Sequence, residues 1–478
     1  MTSPSSPNAA ASPAHPKPTS RYTPHMLRSS LTAAVGLCLS VAPALAQDLT
    51  HKAPPQRGTI VLHNASIHPV AKPAIATGFI IFTDGIIKEV GEGQPSFPDP
   101  ATPGDIQKID LKGAHVYPGL IAPWTQLGLT EIQAVGQTQD LRETGGITPE
   151  VCPAHAVNPD STLIPITRSN GIMLAGIFPE GSPFPGQASV IRLEGWTINE
   201  MEVTAFAGQV CRWPNMRTVT AWWMDRSEDD QRRDIATQLE SITKTLDTAT
   251  RYRDARAGDP SAPADLRWDA MIPVLPAAPT TEGQAPAPPA KPIFFLANDQ
   301  DQINAAVSYA QQRSLRAIIV GGRDAADCAE LLKKHNVPVI VTGTHVFPRR
   351  DDAPYDDGYT LPARLQAAGV HFTIANSDDT AHERNLPYSV AMAVAHGLDH
   401  DAGIRAITLS AAEILGVADR YGSLEVGKTA TLIVTTGSPL DVRTQITSAY
   451  IDGRTIDLSN KQTELAEKYE ERYKQQAK

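Results

Sequence analysis

Four cysteines in 478 residues, with no C-x-x-C pair among them, exclude a disulfide framework and leave no cysteine pattern for a structural zinc site. Thirteen histidines are present, yet none forms H-x-H or H-E-x-x-H, so those short chelates are missing as well. Basic residues do not dominate anywhere: 42 Lys and Arg stand against 52 Asp and Glu, a net charge of −10, with the signs interspersed. That excludes the basic stripe a nucleic-acid partner needs and serves solubility instead. Beyond the N-terminal region no run is apolar enough to span a bilayer. Phosphate-binding loops are absent too; "PEGSPFPGQAS" is a Gly/Pro turn, and neither it nor "GGRDA" has the required pattern.

What is present is ordinary globular composition, 41% hydrophobic and 20% charged, in a chain long enough for a large core and a second, smaller domain. Residues 1–46 read as a leader. Arg28 precedes an apolar run from Leu31 to Val41, and Ala44-Leu45-Ala46 supplies a small-residue cleavage site before Gln47. The run is too short to cross a membrane, so the expectation is export to the periplasm or beyond, with no membrane attachment after cleavage. Met26 is an alternative start, because the first 25 residues would make an unusually long n-region. Cys38 falls inside the leader and follows Leu37, which argues against a lipid anchor. The mature chain then keeps Cys152, Cys211 and Cys328, whose pairing the sequence leaves open.

Two strand-rich blocks, 58–115 and 420–458, flank everything else. The first has Asp84-Gly85 between apolar runs and the second has Asp452-Gly453, both two-residue hairpin turns. They are expected to pair into one small β-sandwich domain built from both chain ends. Between them, in 116–419, strand-like runs alternate with helical ones: "KPIFFLAN", "LRAIIVGG", "VPVIVTG" and "VHFTIANSDD" each precede or follow an amphipathic stretch. Ile235, Leu239, Ile242 and Leu246 lie on one helix face. Ile404, Ile407, Ala411 and Ile414 lie on another, closed by Gly416 as a C-cap. Such alternation predicts an α/β fold with parallel strands, and its length suits a (β/α)8 barrel. Residues 273–292 are Pro/Ala-rich and read as an extended loop within it. Residues 459–478 read as a helix, with Ser459 and Gln462 in capping-box spacing.

Three stretches carry a family resemblance. "GAHVYPGLIAPWTQLGL" is similar to the join between small domain and first barrel strand in the amidohydrolase superfamily. "FTIANSDDTAHERNLPYSVAMAVAHGLDHDAGIRAITLSAAEILGVADRYGSLEVGKTATLIV" resembles the end of that barrel, with a G-x-[LI]-x-x-G-K-x-A-x-L-[IV] signature from Gly422 to Val434. The split β-domain is the third. The likeness is strongest to imidazolonepropionase-like and secreted dipeptidase-like members. It implies a hydrolase acting on non-peptide carbon–nitrogen bonds of a small amide-like molecule. It also implies one or two divalent ions, zinc or another, which lower the pKa of bound water and polarise the carbonyl.

The resemblance further implies ligands: His-x-His on strand 1, one histidine each on strands 5 and 6, and an aspartate after strand 8. This sequence departs from all but the last. Trp124 and Gln126 stand at the strand 1 positions, Leu296 at strand 5, and Val320 or Gly321 at strand 6; only Asp378 matches. No cofactor is therefore assigned unless other residues rebuild a site. Asp378 is the first catalytic candidate. The polar segment after strand 1 adds Glu131 and Asp140 as possible bases, with Arg168 as an anion clamp and His155 beside them. The same segment also reads as a solvated insertion. His345 and His382 follow strands and are further candidates for binding substrate. His396 and His400 are better read as surface residues. The alternative function is a catalytically silent binding or structural subunit, a homo-oligomer or the partner of an active amidohydrolase.

Overall fold

The two hairpin turns expected from Asp84-Gly85 and Asp452-Gly453 do form, and they face each other. All four residues have positive φ, as a two-residue hairpin loop of this kind requires. A Cβ on Gly85 would sit 2.7 Å from the Asp452 carbonyl oxygen, and one on Gly453 would sit 2.8 Å from the Gly85 Cα. Glycine is needed there for closeness as well as for φ. The computed structural model describes residues 50–95, 105–220, 225–277, 289–348, 350, 353–376 and 380–476. The leader, with its proposed cleavage site, lies outside them.

The chain-end domain is one bulged sheet. Strands β1 (Thr59–Ile67), β2 (Ile75–Thr83), β3 (Ile86–Glu92), β4 (Ile106–Asp110) and β5 (His115–Pro118) come from the first block. Strands β14 (Leu432–Thr435), β15 (Ile446–Ile451) and β16 (Arg454–Thr455) come from the second. The blocks meet where β14 runs antiparallel to β5, and the order is β16-β15-β14-β5-β1-β2-β3, with β4 also on β1. The start of β3 returns to Thr429 through an isolated bridge, so the sheet rolls over its own apolar interior. Leu62, Ile80, Phe82, Val116 and Leu432 fill that interior.

The second sheet is the barrel: β6 (Leu120–Thr125), β7 (Ile172–Ile177), β8 (Gly186–Arg192), β9 (Glu202–Arg212), β10 (Ile293–Ala297), β11 (Ala317–Gly321), β12 (Val339–Thr342) and β13 (Phe372–Ala375), hydrogen-bonded in that order. Strands β7, β11 and β13 are buried along their whole length, as strands covered on both faces must be. One strand departs from the expected pattern. β8 runs antiparallel to β7 and β9, while the others share one direction. Residues 178–185 join β7 to β8, too short a connection for a helical crossover, so the strand has to double back.

β6 and β13 are neighbours without a ladder between them. The stretch read as a single helix supplies the closure. It divides into helices His400–Ala406 and Leu409–Leu415, the latter capped by Gly416 at φ +74° as expected. At the break, the Ile407 carbonyl accepts from the Ile121 amide of β6, and the Ala406 carbonyl accepts from the Thr373 hydroxyl of β13. A continuous helix would have kept both carbonyls for itself.

Two smaller readings change. The final helix, Lys461–Gln476, is capped by Asn460, whose side chain accepts from the Gln462 and Thr463 amides, so Ser459 is not the cap. The helix expected through Ile235 and Leu246 runs Glu228–Gly258 with Ile242, Leu246 and Ala249 buried. Of the Pro/Ala-rich loop, residues 278–288 lie outside the described residues; its flanks meet where the Lys291 amide donates to the Pro273 carbonyl.

Candidate functional site: the barrel mouth

A cavity of about 600 Å³ opens at the C-terminal ends of β6, β7, β9, β10, β11 and β12. In barrels of this architecture that is the end where loops build sites. Trp124 and Gln126 enter it from β6, Leu296 and Asn298 from β10, and Val320 and Gly321 from β11. Glu180 follows β7, and Arg212 and Trp213 end β9.

The wall is polar and mostly donating. Gln126, nearly buried, donates its amide to Glu180 Oε1 at 3.0 Å. The indole N–H groups of Trp124 and Trp213 are buried and find no acceptor among the described residues. Arg212 donates through Nε to the Gly181 carbonyl at 3.0 Å, and Arg323 also lines the cavity. Among the described residues, Glu180 is the one carboxylate in the lining.

Known proteins agree with this architecture. The sequence profile of the amidohydrolase family matches residues 316–457. An imidazolonepropionase from Mesorhizobium japonicum is 25% identical over 402 residues, covering 77% of this chain and 88% of its own. An amidohydrolase from Thermotoga maritima superposes with a TM-score of 0.70 at 22% identity, covering 83% of this chain and 99% of that one. Over residues 316–457 the chain is similar to the amidohydrolase family, and its fold is that of the Thermotoga maritima amidohydrolase. This is a family of hydrolases, associated with carbon–nitrogen bonds.

The described residues at this mouth do not fit the metal that the resemblance implies. Trp124, Gln126, Leu296 and Gly321 all line the one cavity, and none offers an imidazole or carboxylate. Gln126 is already engaged with Glu180. Gly321 has φ +103°, and a Cβ there would lie 2.5 Å from Asn298 Oδ1, so a histidine cannot simply replace it. Asp378 lies outside the described residues, together with Ser377 and Asp379.

The other candidates scatter. Arg168 is not at the mouth. Its guanidinium is fully buried, paired with Glu194 and donating to the Leu193 carbonyl at 3.1 Å, so the proposed anion clamp is a structural ion pair. Glu131 accepts from the Asn158 side chain at 3.2 Å, and Asp140 donates its amide to the Leu129 carbonyl within the same turn. Neither lines the cavity, because the segment folds on itself through the Thr130–Gln139 bridge. His155 lies beside Glu202 and Cys152, at the far end of β9 from the mouth.

His345 and His382 do come together. They share a second cavity of about 420 Å³ at the ends of β12 and β13 with Asn376, Asn385, Tyr388 and Ser389. Asn376 is fixed there, donating to the His382 carbonyl at 2.7 Å and accepting from Ser389. His396 bonds the Met392 carbonyl and His400 bonds Ser438, as surface residues at helix ends do. Cys152, Cys211 and Cys328 are all free thiols.

Glu180, Arg212, Trp213 and Asn298 were missed from sequence. Each stands at a strand's C-terminal end or within three residues after it, and that position is the only signal that could have found them.

Proposed function

We propose that this is an exported amidohydrolase-family protein whose barrel mouth binds a small, acceptor-rich molecule, an amide or a carboxylate, without the metal-assisted attack typical of the family. The observation that carries this is that all four inferred ligand positions face one cavity, with Trp, Gln, Leu and Gly in them. The guanidinium groups of Arg212 and Arg323 and the side-chain amides of Asn215, Asn298 and Gln238 in the lining favour a ligand rich in carbonyl or carboxylate oxygen. Similarity to an imidazolonepropionase supports a small molecule of that kind. Export rests on the leader pattern up to Ala46.

A second reading rests on Glu180. Held by Gln126 and the one carboxylate that the described residues bring to the lining, it is placed to accept a proton from a water attacking an amide without a metal.

One screen separates the readings. Small amides and carboxylates are tested for quenching of indole fluorescence and for hydrolysis, with zinc and with a chelator. The expected result is quenching that is lost in Trp124→Phe, without turnover under either condition. Chelator-insensitive turnover abolished by Glu180→Gln would establish the second reading. Zinc-dependent turnover would overturn both. N-terminal sequencing of the form released from the cell should give Gln47; an intact leader would refute export.

A further inference from the structure

Away from the mouth, three metal-ligating side chains converge from two separated parts of the chain. Cys152 and His155 belong to one tight turn, "CPAH", whose 3-10 helix spans Pro153–Ala156. Glu202 opens β9. One atom from each, the Cys152 sulfur, a His155 ring nitrogen and a Glu202 oxygen, lies within 4.8 Å of the others. His155 Nε2 and Glu202 Oε2 are 3.6 Å apart. A tetrahedral zinc with ordinary bond lengths keeps such donors about 3.4–3.6 Å from one another, so the arrangement needs little movement to close on an ion.

We propose that Cys152, His155 and Glu202 form a binding site for a single borderline-soft divalent cation, zinc by preference, with its fourth position open to water. The donor types decide the class of ion. Thiolate and imidazole suit zinc or cobalt, whereas magnesium and calcium require oxygen ligands throughout.

Local structure holds the donors in place. Pro153 stiffens the turn, and the His155 amide donates back to the Cys152 carbonyl at 3.1 Å. The thiol is half-buried, 3.5 Å from the Ser189 hydroxyl and 3.6 Å from the Ala205 carbonyl oxygen. Arg192 donates to the Glu202 carbonyl at 3.3 Å, which fixes the strand end that presents the carboxylate. His155 is the exposed member, its side chain 65% accessible, and it leaves the outer side of the ion to solvent.

The site is separate from the mouth. Glu202 and Arg212 are the two ends of β9, which at the usual rise of about 3.3 Å per residue places them roughly 30 Å apart. An ion there supplies no chemistry to the cavity. It ties the long segment between β6 and β7 to the barrel sheet at β9. The proposal is therefore independent of the reading of the mouth. Sequence spacing could not show it: C-x-x-H carries only two donors, and the third comes from another element.

Cobalt titration of the untagged, reduced chain tests it. The expected result is one cobalt per chain, a thiolate-to-cobalt charge-transfer band in the near ultraviolet, and displacement by zinc. Cys152→Ser should abolish the band. His155→Ala and Glu202→Gln should each weaken binding about tenfold or more, with unchanged melting of the metal-free protein showing that the variants fold. The buried thiols of Cys211 and Cys328, both pushed well above the usual thiol range by burial, should not contribute. Absence of the band overturns the proposal. So does a band with wild-type affinity in His155→Ala and Glu202→Gln, which would mean an adventitious thiolate complex.

Discussion

Arg168 and Glu194 are both shut away from water and paired, with the Leu193 carbonyl and Thr50 hydroxyl also accepting from Arg168 and the Ala53 amide donating to Glu194. Arg168→Leu should cost about 3–5 kcal/mol in chemical denaturation, because Glu194 is left as a buried charge without its counter-ion, held by the Ala53 amide. Arg168→Leu with Glu194→Leu should recover most of that loss; an equal loss in single and double variants would refute the pairing. Glu383 is also fully buried, close to β6, and burial raises its pKa to about 8, opposed by a hydrogen bond from Thr125. The folded chain keeps this proton up to about pH 8, whereas the unfolded chain gives it up near 4.5. Between those values the folded state binds the extra proton, so this group's contribution to stability falls as pH rises. Glu383→Gln should flatten that fall: its melting temperature should gain on the wild type steadily from pH 5 to pH 8. Parallel curves would show the carboxyl to be ionised.

At the level of elements, the two hairpin turns act as one joint. Gln56 donates to the Phe82 carbonyl and accepts from the Gly85 amide, while Gly453 packs on Gly85. Gly85→Ala therefore meets both a positive φ and the Asp452 carbonyl, and about 1–3 kcal/mol of stability should be lost in a thermal melt. A change below a few tenths would mean the turns do not touch. The seam between β6 and β13 makes a second claim about elements. Although β6 lacks a ladder on that side, the Ile121 amide should exchange with solvent as slowly as amides in the ladders, because the Ile407 carbonyl accepts from it. Fast exchange at Ile121 alone would show the seam to be open.

Over the whole molecule, stability is concentrated in the rolled sheet and the barrel, and the terminal helix stands apart from both. No residue of Lys461–Gln476 is buried, and Leu465, Tyr469 and Tyr473 are exposed along it. A chain ending at Thr463 keeps the Asn460 cap contacts and should match the full chain within about 0.5 kcal/mol. A larger loss would mean that the helix packs on something in solution.

The sequence by itself determined the resemblance to amidohydrolases, the split β-domain and the identity of the residues at the inferred ligand positions. Each of these is written locally: Asp84-Gly85 and Asp452-Gly453 demand hairpins, Gly416 ends a helix, and a position on a strand is occupied by tryptophan or it is not. Only the tertiary structure decided that β8 runs backwards, that Ile407 breaks a helix to close the barrel, and that Arg168 is paired inside rather than waiting at the mouth. It also brought Cys152 and His155 to Glu202 and set Glu180, Trp213 and Arg212 around Trp124. Periodicity and turn chemistry depend on neighbours in the chain. Convergence of donors and the burial of charge depend on residues tens or hundreds of positions apart, whose meeting is fixed only once the strands have their order.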